Sequence, residues 1–141
     1  MGREIFGPQR ISRFLCSSSD FSKDKGVVKK RAFWPGKDRE VSAFFSDGLS
    51  DAQILKVAHG VLTDKRKLNP KVNYYGRADF LASAVLAATS IAPTGTAVRL
   101  EIVVDDERFL GHTSIKGWPA DESLWDWIAI TIAACSRLEL V

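Results

Sequence analysis

The pattern of apolar residues between positions 98 and 115 limits most strongly what this chain can fold into. Every second residue from 98 to 104 is apolar, which is typical of a β-strand with one buried face. After a short acidic stretch, residues 109–115 favour a second strand. Together the two segments predict an antiparallel β-hairpin.

Two registers of this hairpin place His112 differently. A three-residue loop, residues 105–107, would put His112 opposite Leu100, among the apolar side chains. A four-residue loop, residues 105–108, puts His112 opposite Glu101 and separates the polar face from the apolar face more cleanly. We therefore expect the four-residue loop, with Glu101 and His112 as cross-strand partners.

The N-terminal part of the chain predicts two more strands and a long connection between them. Residues 9–15 and 40–46 are rich in apolar residues that favour strands. The intervening sequence is mostly polar and ends in a Pro-Gly turn signal. We expect a long polar loop at about 16–39, and loops of this length are usually functional or mobile.

Three segments predict helices. Ser50 and Gln53 match a capping box, and the apolar residues that follow recur every three or four positions. Residues 79–88 are alanine-rich and apolar, which predicts a central helix buried on several sides, preceded by a short extended piece at 72–75. Asp121 can cap a closing helix.

The length and composition fit one globular domain. The chain has 141 residues, of which 45% are hydrophobic and 26% are charged, and a chain of this size forms a single core. The order of elements predicts an α+β fold across residues 1–141. We expect a mainly antiparallel sheet with about three helices packed on one face.

The sequence favours a cytoplasmic protein without a cofactor. No apolar run is long enough for an export signal or a membrane span. Cys16 and Cys135 stand far apart with no histidine at ligand spacing, so we expect free thiols and no metal site. The chain also lacks a P-loop, a Rossmann glycine pattern and an HExxH motif.

Charge is distributed unevenly along the chain. Residues 1–80 contain 16 Lys and Arg against 9 Asp and Glu, whereas residues 81–141 contain 4 against 8. A basic front half of this kind indicates an anionic partner, either nucleic acid or an acidic protein surface.

Cations stand beside aromatic rings twice in the basic half. Such pairs can neutralise phosphates and stack on bases, although solvated loop charge with core rings gives the same pattern. The candidate anion-binding residues are Lys29, Lys30, Arg31, Lys65, Arg66, Lys67 and Arg77, and the candidate aromatic contacts are Trp34, Tyr74, Tyr75 and Trp118.

The hairpin and the first two strands supply the candidate catalytic residues. A carboxylate that orients an imidazole, as Glu101 would orient His112, is the core of many general bases, although cross-strand charge pairs also simply stabilise sheets. Arg10 or Arg13 on the first strand, Ser42 on the second and Glu101 on a later one resemble the Arg, Ser, Glu order of one class of ADP-ribosyltransferases. Glu101, His112, Arg13 and Ser42 are thus the catalytic candidates.

Several segments resemble a family of small bacterial proteins of unassigned function. The similar segments are RISRFL (10–15), VSAFF (41–45), DGLSD (47–51), YGRAD (75–79) and HTSIKGWP (112–119). The resemblance implies a bacterial, intracellular origin and carries no activity onto these positions.

Three functions follow as hypotheses. The first is a binding module that engages an anionic partner through the basic N-terminal half. The second is a small enzyme acting on a nucleotide or nucleic acid, as a hydrolase or an ADP-ribosyltransferase-like protein, through Glu101 and His112. The third is an immunity-like interaction domain that forms homo- or hetero-oligomers through Trp34, Trp118 and Trp125.

Overall fold

A computed structural model describes residues 2–141 of the chain. The strands are β1 (Arg3–Glu4), β2 (Arg10–Leu15), β3 (Phe21–Ser22), β4 (Val27–Val28), β5 (Val41–Phe45), β6 (Gly76–Leu81), β7 (Glu101–Val104), β8 (His112–Lys116) and β9 (Arg137–Leu140). Seven of them form one sheet in the order β1-β7-β8-β5-β2-β6-β9, and every neighbouring pair is antiparallel. The two short strands β3 and β4 form a separate hairpin.

Three helices accompany the sheet: α1 (Asp51–Leu68), α2 (Ala82–Ala88) and α3 (Ser123–Ala134). The predicted α+β class, the antiparallel sheet and the number of helices are confirmed. The described residues include no helix that could span a bilayer.

The helices cover both faces of the sheet, not one face as expected. Ile11 and Phe80 are cross-strand partners on the face where Phe33 packs on Phe80 and where α2 and α3 lie. Phe14 and Arg77 are partners on the opposite face, where Arg77 bonds to the first residue of α1. The central strands carry apolar side chains on both sides, so each side needs a cover.

The start of α1 is the element that the sequence predicted best. The Ser50 hydroxyl accepts a hydrogen bond from the Gln53 N–H at 3.2 Å, and the Gln53 side chain accepts one from the Ser50 N–H at 2.9 Å. Both bonds satisfy N–H groups that a helix leaves without an internal partner. The side chains of Ile54, Ala58 and Leu62 form the buried stripe of the helix.

The predicted helix over residues 79–88 is wrong in its first part. Residues 79–81 belong to β6, which is hydrogen-bonded to β2 on one side and to β9 on the other, and only Ala82–Ala88 are helical. Because β6 is covered on both faces, its buried residues do not alternate with polar ones, and periodicity cannot distinguish such a strand from a buried helix.

The predicted hairpin register is also wrong. Glu101 pairs with Lys116 and Val104 pairs with Thr113, so the loop spans residues 105–111 and Glu101 does not face His112. Hydrogen bonds hold this longer loop: the N–H groups of Asp105 and Asp106 donate to the His112 carbonyl oxygen, and the Asp106 carboxylate accepts from the Gly111 N–H at 2.7 Å.

The expected loop at about 16–39 contains ordered elements. Ser18–Asp20 and Lys30–Phe33 form 3-10 turns, and β3 and β4 lie between them. The turn at Lys30–Phe33 packs against α3 through buried Ala32 and Phe33. This segment therefore forms part of the core.

Candidate functional site

A pocket of about 230 Å³ opens on the α1 side of the sheet. Residues of β2 and β5 form its floor, the C-terminal half of α1 forms one wall, and the loop between β7 and β8 forms the other. The pocket is therefore built from four separate parts of the chain.

The pocket lies where β2 and β5 separate. These strands pair at Ser12 and Phe44, and beyond this point the Arg13 side chain bonds to the neighbouring backbone. Its Nη1 atom donates to the Ser42 carbonyl oxygen at 2.8 Å, and its Nε atom donates to the Ala32 carbonyl oxygen at 2.9 Å. Arg13 thus holds the backbone of Ser42 in place from the side of β2.

Three side chains form a hydrogen-bonded chain that ends at the pocket. The Nδ1 atom of His112 lies 2.5 Å from Oδ1 of Asp105, and the Nε2 atom lies 3.2 Å from Oγ of Ser42. Because a carboxylate only accepts, Nδ1 carries the proton of the neutral ring and Nε2 accepts from the Ser42 hydroxyl. This is the arrangement of a nucleophile, a base and an orienting carboxylate.

The sheet register brings these side chains together. Ser42 and Ser114 are cross-strand partners of β5 and β8, and His112 is the partner of Phe44. The Asp105 N–H donates to the His112 carbonyl oxygen at 3.0 Å, so Asp105 continues the ladder of β7 and β8 and lies opposite His112. The side chains of Ser42, Asp105 and His112 therefore lie on the same face of the sheet.

Asp105 is held as a carboxylate. Burial raises its pKa, but hydrogen bonds from His112, the Ser114 hydroxyl at 2.7 Å and the Glu107 N–H at 3.1 Å outweigh burial and keep the pKa below its ordinary value. An ionised Asp105 fixes the orientation and the tautomer of the His112 ring.

The hydrogen-bonded chain of side chains is shielded from solvent at its Asp105 end and accessible at its Ser42 end. The side chains of His112 and Asp105 are 3% and 6% exposed, whereas Ser42 is half-buried and lines the pocket. Phe109 packs edge-on against His112, with ring centroids 5.3 Å apart. Ser42 is therefore the most accessible of the three residues, whereas little of the His112 and Asp105 side chains is exposed to water.

Apolar and basic side chains line the rest of the pocket. The apolar ones include Phe14, Val61 and Phe109, and the basic ones include Lys65 and Arg108 at the mouth. Within residues 2–141, neither of these two cations forms a salt bridge.

The structure brings together three of the four predicted catalytic residues. Arg13, Ser42 and His112 line the same pocket, whereas Glu101 is exposed and faces Lys116. Sequence reasoning missed Asp105, which takes the position expected for Glu101. Glu101 and Asp105 are four positions apart in the sequence, so both side chains lie on the same face of the hairpin as His112. Shifting the strand pairing by four residues places Asp105 opposite His112 in the position expected for Glu101.

The predicted anion-binding residues differ in their contacts. Lys30 bonds to Asp126 of α3, while Lys65 lines the pocket on the α1 side, and Arg31 and Lys65 both lie within electrostatic reach of Asp20. Arg77 is 10% exposed and is paired with Asp79 and Asp51. Lys29, Arg31, Arg66 and Lys67 are exposed, and Lys67 bonds to Asp64.

Most of the predicted aromatic contacts pack inside the protein. Trp118 is 3% exposed and donates its indole N–H to the Ile115 carbonyl oxygen, so it belongs to the core. Tyr74 packs on Phe14, and burial raises the pKa of its hydroxyl to about 12. Tyr75 packs on Phe21, whereas Trp34 is 44% exposed and packs edge-on against Trp125, which is itself buried.

Comparison with protein-family models, curated proteins and solved structures finds no significant match. Among residues 2–141, no three His, Cys, Asp or Glu side chains come together as ligands for a metal ion. The resemblance to small bacterial proteins stays a prediction, and the chemistry of the pocket is the basis for a functional proposal.

Proposed function

We propose that the protein is a serine hydrolase that acts on small carboxylic esters. The observation that carries this proposal is the hydrogen-bonded chain from Asp105 through His112 to Ser42, which ends at an open pocket. A hydroxyl, an imidazole and a carboxylate in this order activate the hydroxyl for attack on an acyl carbon.

In the first half of the proposed reaction, the Ser42 Oγ atom attacks the carbonyl carbon of the ester and its proton passes to Nε2 of His112. The tetrahedral intermediate collapses, the alcohol leaves with the proton from Nε2, and the acyl group stays on Ser42. Asp105 stabilises the imidazolium that forms in between.

In the second half, a water molecule attacks the acyl carbon and gives a proton to His112 Nε2. The carboxylic acid leaves, and Oγ of Ser42 regains the proton. Arg13 lines the pocket beside Ser42, and its Nε and Nη1 atoms donate to the backbone carbonyl oxygens of Ala32 and Ser42. We assign to Arg13 the stabilisation of the oxyanion in both tetrahedral intermediates.

Ester hydrolysis by matched variants tests the proposal. The wild type should release nitrophenolate from 4-nitrophenyl butyrate faster than buffer does, with a burst from acylation. Ser42→Ala and His112→Ala should abolish the enzymatic rate, because the first removes the nucleophile and the second removes the group that transfers the proton. Ser90→Ala, at an exposed serine outside the pocket, is the control and should keep the wild-type rate.

Two results would contradict the proposal. One is a wild-type rate no greater than that of buffer. The other is a Ser42→Ala variant, folded by circular dichroism, that hydrolyses the ester as fast as the wild type.

The excess of Lys and Arg in residues 1–80 supports a second candidate, the binding module for nucleic acid or an acidic protein. Titration with a labelled single-stranded oligonucleotide should show affinity that falls steeply with salt, and no binding at low salt would contradict it. A cytoplasmic location and an interaction domain using exposed Trp34 also stay predictions.

A further inference from the structure

We infer that the pocket selects an ester whose small apolar acyl chain ends in an anionic group, either a carboxylate or a phosphate. This inference rests on the proposed hydrolase function and names the substrate class of the same site.

The first argument is the balance of charge around the pocket. Three cations on three different parts of the chain line it, namely Arg13, Lys65 and Arg108. Arg13 is held by backbone carbonyls next to Ser42, so Lys65 and Arg108 remain for a charge at the far end of the substrate. Cations without carboxylate partners favour an anionic ligand at this mouth.

The second argument is that the nearby carboxylates are already engaged. Asp64 lines the pocket, but its side chain bonds to Lys67 at 3.2 Å. Asp105 is buried in the hydrogen-bonded chain described above. Asp20 lies within electrostatic reach of three cations, Arg13, Arg31 and Lys65, so cations outnumber this carboxylate.

The third argument is the size and polarity of the pocket. Its volume of about 230 Å³ lies below the roughly 300–1,000 Å³ of sites that hold drug-sized ligands, so the acyl group must be small. Phe14, Val61 and Phe109 offer contacts to methylene groups between the ester and the anionic end.

A matched pair of substrates tests this inference by kinetics. Mono-4-nitrophenyl glutarate and 4-nitrophenyl pentanoate have acyl chains of equal length, and only the first carries a terminal carboxylate. We expect a lower KM for the glutarate ester. Lys65→Gln and Arg108→Gln should each raise that KM roughly tenfold and leave the pentanoate ester unaffected, because a charged hydrogen bond is lost.

Lys56→Gln, at an exposed position on α1 outside the pocket, is the control and should change neither KM. The side chains of Lys56, Lys65 and Arg108 are all exposed, so the three variants should fold. Equal KM values for the two esters, with no effect of Lys65→Gln or Arg108→Gln, would overturn the inference while leaving the hydrolase proposal intact.

A binding measurement keeps the two proposals separate. Calorimetry with pentanoate and pentanamide on Ser42→Ala measures recognition without catalysis. Tighter binding of the carboxylate, weakened by a further Lys65→Gln change, supports the inference even if no ester is hydrolysed. Equal or absent binding of both compounds overturns it.

Discussion

The Nδ1 atom of His112 lies 2.5 Å from the carboxylate of Asp105, the residue that directly follows strand β7. The carboxylate also accepts hydrogen bonds from Ser114 and from the Glu107 backbone, so its position is fixed from three directions. The orientation of the imidazole therefore depends on the register of β7 against β8.

Replacing Asp105 by Asn should separate geometry from charge. Asparagine has nearly the same shape, but its amide favours the wrong tautomer of His112, and in serine proteases a change of this kind lowers kcat by on the order of 10⁴-fold. We expect Asp105→Asn to lower the ester hydrolysis rate by a comparable factor with unchanged circular dichroism. A variant with wild-type kcat would exclude Asp105 from the mechanism.

Acid should weaken the fold partly through Asp105. Its pKa in the folded protein lies below the ordinary value of 3.8. The ionised carboxylate therefore stabilises the fold above that value, and this contribution is lost as the pH falls through the lower folded value. Urea denaturation from about pH 5 to about pH 3 should show a wild-type advantage over Asp105→Asn that shrinks as the pH falls.

The capping box of α1 should contribute measurably to stability. Ser50→Ala removes the acceptor for the Gln53 N–H and should lower the free energy of unfolding by about 1 kcal/mol. Ser50→Asp keeps an acceptor at the cap and serves as the control. Equal urea midpoints for the wild type and Ser50→Ala would show that water replaces the cap at no cost.

Two glycines should respond in opposite ways to replacement by alanine. Gly76 has a φ of 149°, and a Cβ atom there would overlap the Glu139 carbonyl oxygen of β9. We expect Gly76→Ala to destabilise the protein by about 2 kcal/mol or more. Gly60 lies in α1 with open space around it, so Gly60→Ala should stabilise by up to about 1 kcal/mol. Thermal unfolding of both variants checks the pair.

The α+β fold could be predicted because its signals are local. The capping box at Ser50 and the alternation through β7 depend on neighbouring residues, and both appear in the structure. Strands β6 and β9 escaped prediction for a physical reason. Segment 76–81 is buried on both faces, and its hydrogen bonds go to residues distant in the chain.

The candidate site could be predicted only in part. His112 could be singled out as an imidazole on the predicted hairpin, and Arg13 and Ser42 by the Arg, Ser, Glu order along the predicted strands. Asp105 could not, since its role depends on a loop that hydrogen bonds of Asp106 make longer than a minimal hairpin turn. Polar groups inside the loop between β7 and β8 set the register of these two strands, whereas the apolar pattern fixes only which side chains face the core.

Covalent labelling of Ser42 tests the central claim most directly. The folded wild type is incubated with a fluorophosphonate probe, and intact mass followed by peptide mapping locates the adduct. The proposed mechanism predicts one adduct, on Ser42, with no labelling of Ser42→Ala and strongly reduced labelling of His112→Ala. An unlabelled wild type, or an adduct that persists in Ser42→Ala, would contradict it.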